Sequence, residues 1–459
     1  MKILIRNVRI VDEALDVPGA LLIEDGFIRD VLTGYETPGG AGVAAALVID
    51  GSRYVPRGDA VLMPALVDLH AHFRDPGLPA GPLPPETLES ASLAAVAGGY
   101  GTVVCMANTR PVLDTPEAAA ALRARSNALG LIDLYPALAL TRGMAGEELS
   151  DISRISPGAP APRLLSEDGR DVASDALFLA ACAEARRLGL PVSCHCDAGG
   201  EEVEAAKRAG APRAVWSRLA ENNATRRALA IGKAARCHLH IAHVSTGEAA
   251  AMIREAKAEC CRDPRNDAGR DGSDGFYLSS EATPHHIALT EEDARILGEE
   301  AHGRVNPPLR GEDDRREILR ALSDGTIDAI ATDHAPHNDG DKAGGAPGFT
   351  GLETAFGVCH TVLVPDDKGQ GDTDGPPGIT LSRLSALMSA APARILGLGD
   401  RGRIAVGMRA DLILLDPRAR WRAGVEDGRS RGRNSPFAGR ELRGRVLLTI
   451  LGGRIVFQQ

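Results

Sequence analysis

Aromatic residues are scarce in this 459-residue chain: Phe, Tyr and Trp together make up 3% of it. Its core therefore has to be filled by Ala, Val, Leu and Ile. No apolar run reaches the roughly 18 residues that a membrane-spanning helix needs. The opening MKILIRNVRIVDEALDVPG alternates like a strand and lacks the apolar centre of a secretory leader. A cytoplasmic location is the expectation that follows. Paired CxxC arrays are missing as well. The eight cysteines stand at 105, 182, 194, 196, 237, 260, 261 and 359, as expected of reduced, mostly buried thiols. A surplus of positive charge is also absent. The formal net charge of -10 argues against nucleic acid as a partner, and leaves small substrates open because they respond to local charge.

Both ends of the chain read as short strands with Gly-rich turns. ILIRNVRIV, GALLIEDGFIRDVL and ALVIDGSRYV stand before residue 55, and RIAVGMRADLILLDP and LRGRVLLTILGGRIVF after residue 401. The middle differs. Eight apolar strand candidates alternate with Ala/Leu-rich helical segments: ALVDLHAHF, GTVVCMANT, IDLYPALAL, RLLSEDG, LPVSCHCD, CHLHIAHVS, GFYLSSEAT and IDAIATDHAP. That alternation predicts an α/β fold, a (β/α)8 TIM barrel at 56–400, with a smaller β-sandwich domain assembled from 1–55 and 401–459. CCRDPRNDAGRDGSDG (260–275) reads as a polar surface insertion.

Polar groups gather where these strands end. In a barrel the C-terminal strand ends converge on one mouth. Strand one closes with His70 and His72, whose i, i+2 spacing puts both imidazoles on one face together with Asp68 and Arg74. Strand four ends in SEDG, offering Glu167 or Asp168. Parity weakly favours Asp168, and the pair also fits an ordinary acidic turn. Strand five supplies His195 and strand six His243, with His238 and His240 ambiguous beside it. Strand eight ends in Asp333, followed by His334 and His337. Each histidine alone is most simply a core residue. Together, four His and two carboxylates left unpaired and buried would cost several kcal/mol. The set suits a divalent ion of borderline softness, zinc before others.

These residues resemble the amidohydrolase superfamily and, within it, the dihydroorotases of the bacterial class I type. DLHAHFRDPG and ATDHAPHNDGDK are similar to the two signatures of that family. VVCMANTRP, HCD, HIAHVST, EATPHH, VNPPLR and RNSPFAG extend the likeness across essentially the whole chain. The resemblance implies metal ligation by His70, His72, Asp168, His195, His243 and Asp333, with one or two Zn2+ per subunit and two expected. No lysine stands at the end of strand four to be carboxylated, which leaves Asp168 as the implied bridge and Glu167 as its rival. It further implies substrate contacts from Arg74, Asn108, Asn306 and His337, and backbone contacts from Gly348 and Phe349. Two departures stand out: Ala107 replaces a proline in MANT, and PGFTG lacks an aromatic before its glycine.

The implied activity is reversible cyclisation of N-carbamoyl-L-aspartate to L-dihydroorotate in pyrimidine (UMP) biosynthesis. It would use a metal-activated hydroxide, with Asp333 as general base and acid. A homodimer, and association with aspartate carbamoyltransferase, belong to the same expectation. Two rivals stand beside it. A hydantoin- or dihydropyrimidine-opening amidase would find Arg74 wasted, since its rings carry no carboxylate. A catalytically dead scaffold subunit would not keep every ligand.

Overall fold

The computed structural model describes residues 1–34, 46–75, 86–197, 199–260, 275–366, 378–424 and 428–459. The expected insertion at 260–275 and the Pro/Gly-rich loop at 75–86 therefore lie almost wholly outside the described residues.

The barrel is built from short parallel strands. Strand one is Leu66–Ala71, strand two Tyr100–Cys105, and strand three runs in two pieces, Asp133–Pro136 and Leu138–Ala139. Strands four to eight are Leu165–Ser166, Val192–Cys194, His238–Ile241, Tyr277–Ala282 and Ala329–Ile330. Each pairs in parallel with the next. An Ala71–His334 bridge joins strand eight back to strand one, so the ring closes. Within strand one the central side chains alternate. Val67 and Leu69 pack in an apolar cluster with Ile395 and Leu398, while Asp68, His70 and His72 take the opposite face.

The helices between strands follow local rules. Thr115 caps Pro116–Leu129 by accepting from the Ala118 amide, proline occupies the first turn, and Gly130 ends the helix at φ 65°. Ser174 and Gly189 frame Asp175–Leu188 in the same way. The link from strand three to strand four departs from the pattern. Among the described residues it carries two 3-10 turns, Arg142–Met144 and Asp151–Arg154, and no α-helix.

The two chain ends meet in one hydrogen-bonded sheet. Its order is Arg454–Gln458, Glu441–Leu451, Leu412–Arg422, Val61–Pro64, Lys2–Val11, Asp16–Glu24 and Phe27–Thr33, and Leu47–Asp50 also pairs with Lys2–Val11. Val61–Pro64 lies between the two terminal contributions, so this sheet reaches past residue 55. Ile5, Leu21, Leu62, Leu412 and Leu448 share its apolar cluster.

Buried charge fixes this sheet beneath the barrel, at the end away from the strand-end histidines. Arg401 donates to Thr102 Oγ1 on strand two at 2.9 Å, to Asp133 Oδ2 at the start of strand three at 2.6 Å, and to Asp400 Oδ1 at 2.9 Å. Arg409 shares Asp133. Burial alone would raise the Asp133 pKa, but Arg409 and Arg401 bring it below the usual carboxylate value. Arg401→Met would leave both Asp133 and Asp411 to Arg409 alone, and is expected to cost about 3 kcal/mol of stability. Denaturant unfolding of the variant checks this; a loss below about 1 kcal/mol, the range of an exposed pair, would contradict it.

Candidate active site

The strand-end groups converge on one buried cluster. His70, His72, Asp168, His195, His243 and Asp333 are all buried. Asp168 is the hub. Its Oδ1 lies 3.1 Å from His70 Nε2 and 3.4 Å from His195 Nδ1, and its Oδ2 lies 3.6 Å from His72 Nε2. His195 Nδ1 is 2.7 Å from His243 Nε2. Asp333 Oδ1 stands 3.2 Å from His72 Nε2 and 3.6 Å from His70 Nε2.

Two trios, His70–His72–Asp168 and Asp168–His195–His243, each place one donor atom per residue within 4.8 Å of the others. Asp168 belongs to both. His70 Nε2 is buried and makes no hydrogen bond despite its nearness to Asp168. Imidazole and carboxylate groups, held together and buried, form a donor set that fits a divalent metal. The electrostatics agree. Burial would raise the Asp168 pKa, but the neighbouring His70, His195 and His72 rings hold it well below the carboxylate range. Burial and the neighbouring His195 and His70 push His243 down to about 3, so it stays a neutral imidazole able to ligate.

Glu167 has other duties. It accepts from the Leu140 and Thr141 amides, each at 3.0 Å, and from the Thr141 hydroxyl. Of the two acidic residues in SEDG, only Asp168 faces the imidazoles.

The backbone is bent to deliver these groups. Seven non-glycine residues among those described have positive φ, and three of them, Arg74 (56°), His243 (32°) and Asp333 (46°), belong to this pocket. Such conformations cost about 1–3 kcal/mol each and persist where surrounding structure enforces them. Asp68 supplies part of that enforcement. It accepts from the Thr332 amide at 2.9 Å and hydroxyl at 2.6 Å, tying strand one to strand eight just before Asp333.

The expected substrate contacts sit around the rim. Arg74 Nη2 is 3.2 Å from His337 Nε2. Asn108 points inward: its Nδ2 donates to Asp168 Oδ2 at 2.9 Å and its Oδ1 meets His72 Nδ1 at 3.0 Å. Asn306 donates to Asp197 at 2.9 Å and accepts from Arg213 at 3.1 Å, lining a cavity of about 280 Å3 with Arg304. Gly348 differs from expectation, because its backbone groups are already used. Its amide donates to Arg304 O, and its carbonyl accepts from Lys342 and Asn434. Its φ of 128° and a would-be Cβ only 2.5 Å from Ala335 Cβ demand glycine. Phe349 is buried, with its ring edge-on to His285 at 5.4 Å.

Several partners were not legible as functional in the sequence. Glu281, 0% exposed, bonds His70 Nδ1 and His240 Nε2, each at 3.0 Å. It thereby presents His70 Nε2 to the pocket and assigns His240 to a supporting role. Burial pushes the Glu281 pKa up, yet His240 and then His70 bring it down to about 2. A charged residue ending an apolar strand in SSEATPHH was the only signal. Glu221 anchors the turn after His243 by accepting from the Ser245 and Thr246 amides at 2.8 and 3.0 Å. Removing the orienting carboxylate by Glu281→Leu is expected to weaken divalent-metal affinity about 10–100-fold. Chelator competition measures it, and unchanged affinity would contradict the orienting role.

Comparison with known proteins agrees with this geometry. The Amidohydrolase family model matches residues 61–456. A dihydroorotase of Clostridium botulinum is 36% identical over the full length of both chains. One from Anaeromyxobacter dehalogenans is 37% identical over 98% of this chain and 96% of its own. One from Mycobacterium leprae is 33% identical over 99% and 98%. Among solved structures, an L-hydantoinase (dihydropyrimidinase) from Arthrobacter aurescens superposes with a TM-score of 0.78 at 23% identity, covering 99% of this chain and 96% of its own. A dihydropyrimidinase from Brevibacillus agri gives 0.78 at 22%, covering 100% and 95%. At that identity the structures speak for the barrel fold alone. The chain belongs to the amidohydrolase family of metal-dependent hydrolases, and its full-length relatives place it among the dihydroorotases.

Proposed function

We propose that this protein, a dihydroorotase of the bacterial class I type, catalyses the reversible cyclisation of N-carbamoyl-L-aspartate to L-dihydroorotate. His70, His72, Asp168, His195, His243 and Asp333 would hold the metal, expected to be two zinc ions, and Asp168 is the residue placed to serve both. The observation that carries the metal assignment is the membership of Asp168 in both trios. Such ions would polarise the ring amide carbonyl and lower the pKa of the attacking water.

The remaining work falls to side chains. In the hydrolytic direction Asp333 takes a proton from the attacking water and delivers it to the leaving ring nitrogen. Burial would raise its pKa, but a hydrogen bond from His72 and the charge of His70 hold it well below the carboxylate norm, so it starts ionised. In the synthetic direction the same proton returns and water leaves. Ring closure consumes one carboxylate and one proton, so acid favours the ring and alkali the open form.

Arg74 selects the substrate. Its planar fork suits the carboxylate that dihydroorotate carries and that hydantoin or dihydrouracil lacks. Burial lowers its pKa from the arginine norm while Asp333 and Asp168 raise it. His337 and Asn306 flank the carboxylate and ring. Asn108 acts through Asp168 and His72 as much as on substrate. Gly348 and Phe349 shape the wall behind His337.

By the same resemblance we infer a cytoplasmic homodimer with aspartate carbamoyltransferase as a candidate associate. No described helix is long and apolar enough to cross a membrane.

The purified protein is expected to turn over dihydroorotate and to leave dihydrouracil, hydantoin and allantoin about a hundredfold slower or worse. Arg74→Ala should keep its metal and lose about a hundredfold in kcat/KM for dihydroorotate, the worth of a charge-assisted pair. Equal turnover of uncharged rings, or an unaffected Arg74→Ala enzyme, would overturn the assignment.

A further inference from the structure

Lys342 is buried to 0% exposure in the short helix Asp339–Ala343, and among the described residues no carboxylate pairs with it. Its ammonium donates to three backbone carbonyls: Arg304 O at 2.8 Å, Ala346 O at 2.9 Å and Gly348 O at 3.0 Å. It also lies 5.3 Å from the centre of the Phe349 ring. All three protons are used. Burial, with Arg304 and Arg213 nearby, lowers its pKa to about 8. An apolar side chain would fill this place at less electrostatic cost. What the ammonium adds is a fixed position for the carbonyls on either side of Pro347.

That position matters because of His337. Its Nε2 has two competing neighbours, Pro347 O at 3.0 Å and Arg74 Nη2 at 3.2 Å. A neutral imidazole nitrogen either donates or accepts, never both. Burial and Arg74 push His337 down to about 4, so the ring is neutral. With Pro347 O held in place, Nε2 carries the proton and donates to it. Nε2 then cannot absorb an Arg74 N–H, so the Arg74 guanidinium keeps its donors for an incoming carboxylate. Asn434, from the far end of the chain, completes the arrangement. Its Nδ2 donates to Ala335 O at 2.8 Å and Gly348 O at 3.0 Å, and its Oδ1 accepts from the His337 amide at 2.9 Å.

We propose that Lys342, assisted by Asn434, is a positioning residue that fixes the Pro347 carbonyl, thereby sets the His337 tautomer and leaves Arg74 free to bind the substrate carboxylate. This rests on the function proposed above. Lys342→Met preserves bulk and removes the donors. It is expected to raise KM for dihydroorotate about tenfold, the worth of one buried unmet carbonyl, and to change kcat less than about threefold. Metal content should match wild type. Asn434→Ala should move KM in the same direction, and decides the matter if Lys342→Met does not fold. Because the effect runs through His337, either substitution placed in a His337→Ala background should cost less than about twofold more.

An unchanged KM in the folded variant would overturn the positioning role while leaving the function standing. So would an equal penalty in both backgrounds, a loss confined to kcat, or unfolding of both variants. A wild-type protein inactive on dihydroorotate would remove the function and this role together.

Discussion

One buried carboxylate set among four imidazoles governs this molecule. Asp168 is 4% exposed and lies within 3.6 Å of nitrogens from His70, His72 and His195, the last in contact with His243. In a low-dielectric interior such a group is stable only if positive charge, from protons or metal, balances it. The surrounding structure serves that balance. Glu281 and Asn108 orient His70 and His72, Glu221 anchors the turn after His243, and Asp68 ties the strand bearing the first histidines to the strand before Asp333.

The barrel makes this convergence affordable. Its strands are brief, and their chemistry begins where regular pairing stops. The opposite end is locked by Arg401, Arg409 and Asp133, which hold the sheet of chain ends against strands two and three. At the rim Arg74 and His337 face one another over a loop clamped by Lys342 and Asn434, the place where substrate selection is proposed.

Much of this was readable in the residue order. The alternation of apolar strands with Ala/Leu-rich segments pointed to the barrel, and HxH at the end of strand one reported a shared face because His70 and His72 both turn into the pocket. Parity failed where regularity did. His243 lies beyond the end of strand six at Ile241 and adopts a positive φ, so counting from His240 could not tell which ring enters the pocket. Glu167 and Asp168 follow a two-residue strand, and only contacts distant in sequence separate them: Leu140 and Thr141 on Glu167, the imidazoles on Asp168. Glu281, Asn434 and Lys342 act through partners tens to hundreds of positions away or through backbone carbonyls, which no local pattern encodes. The use of both Gly348 backbone groups inside the protein was invisible for the same reason.

The sharing of Asp168 is the claim on which the rest depends, and metal stoichiometry tests it most directly. Measured side by side on wild type and Asp168→Ala, the account predicts two equivalents of zinc in the first. In the second both trios lose a ligand together, and well under one equivalent should remain. An Asp168→Ala protein that keeps two equivalents, or loses one while holding the other at wild-type affinity, would contradict a shared bridge.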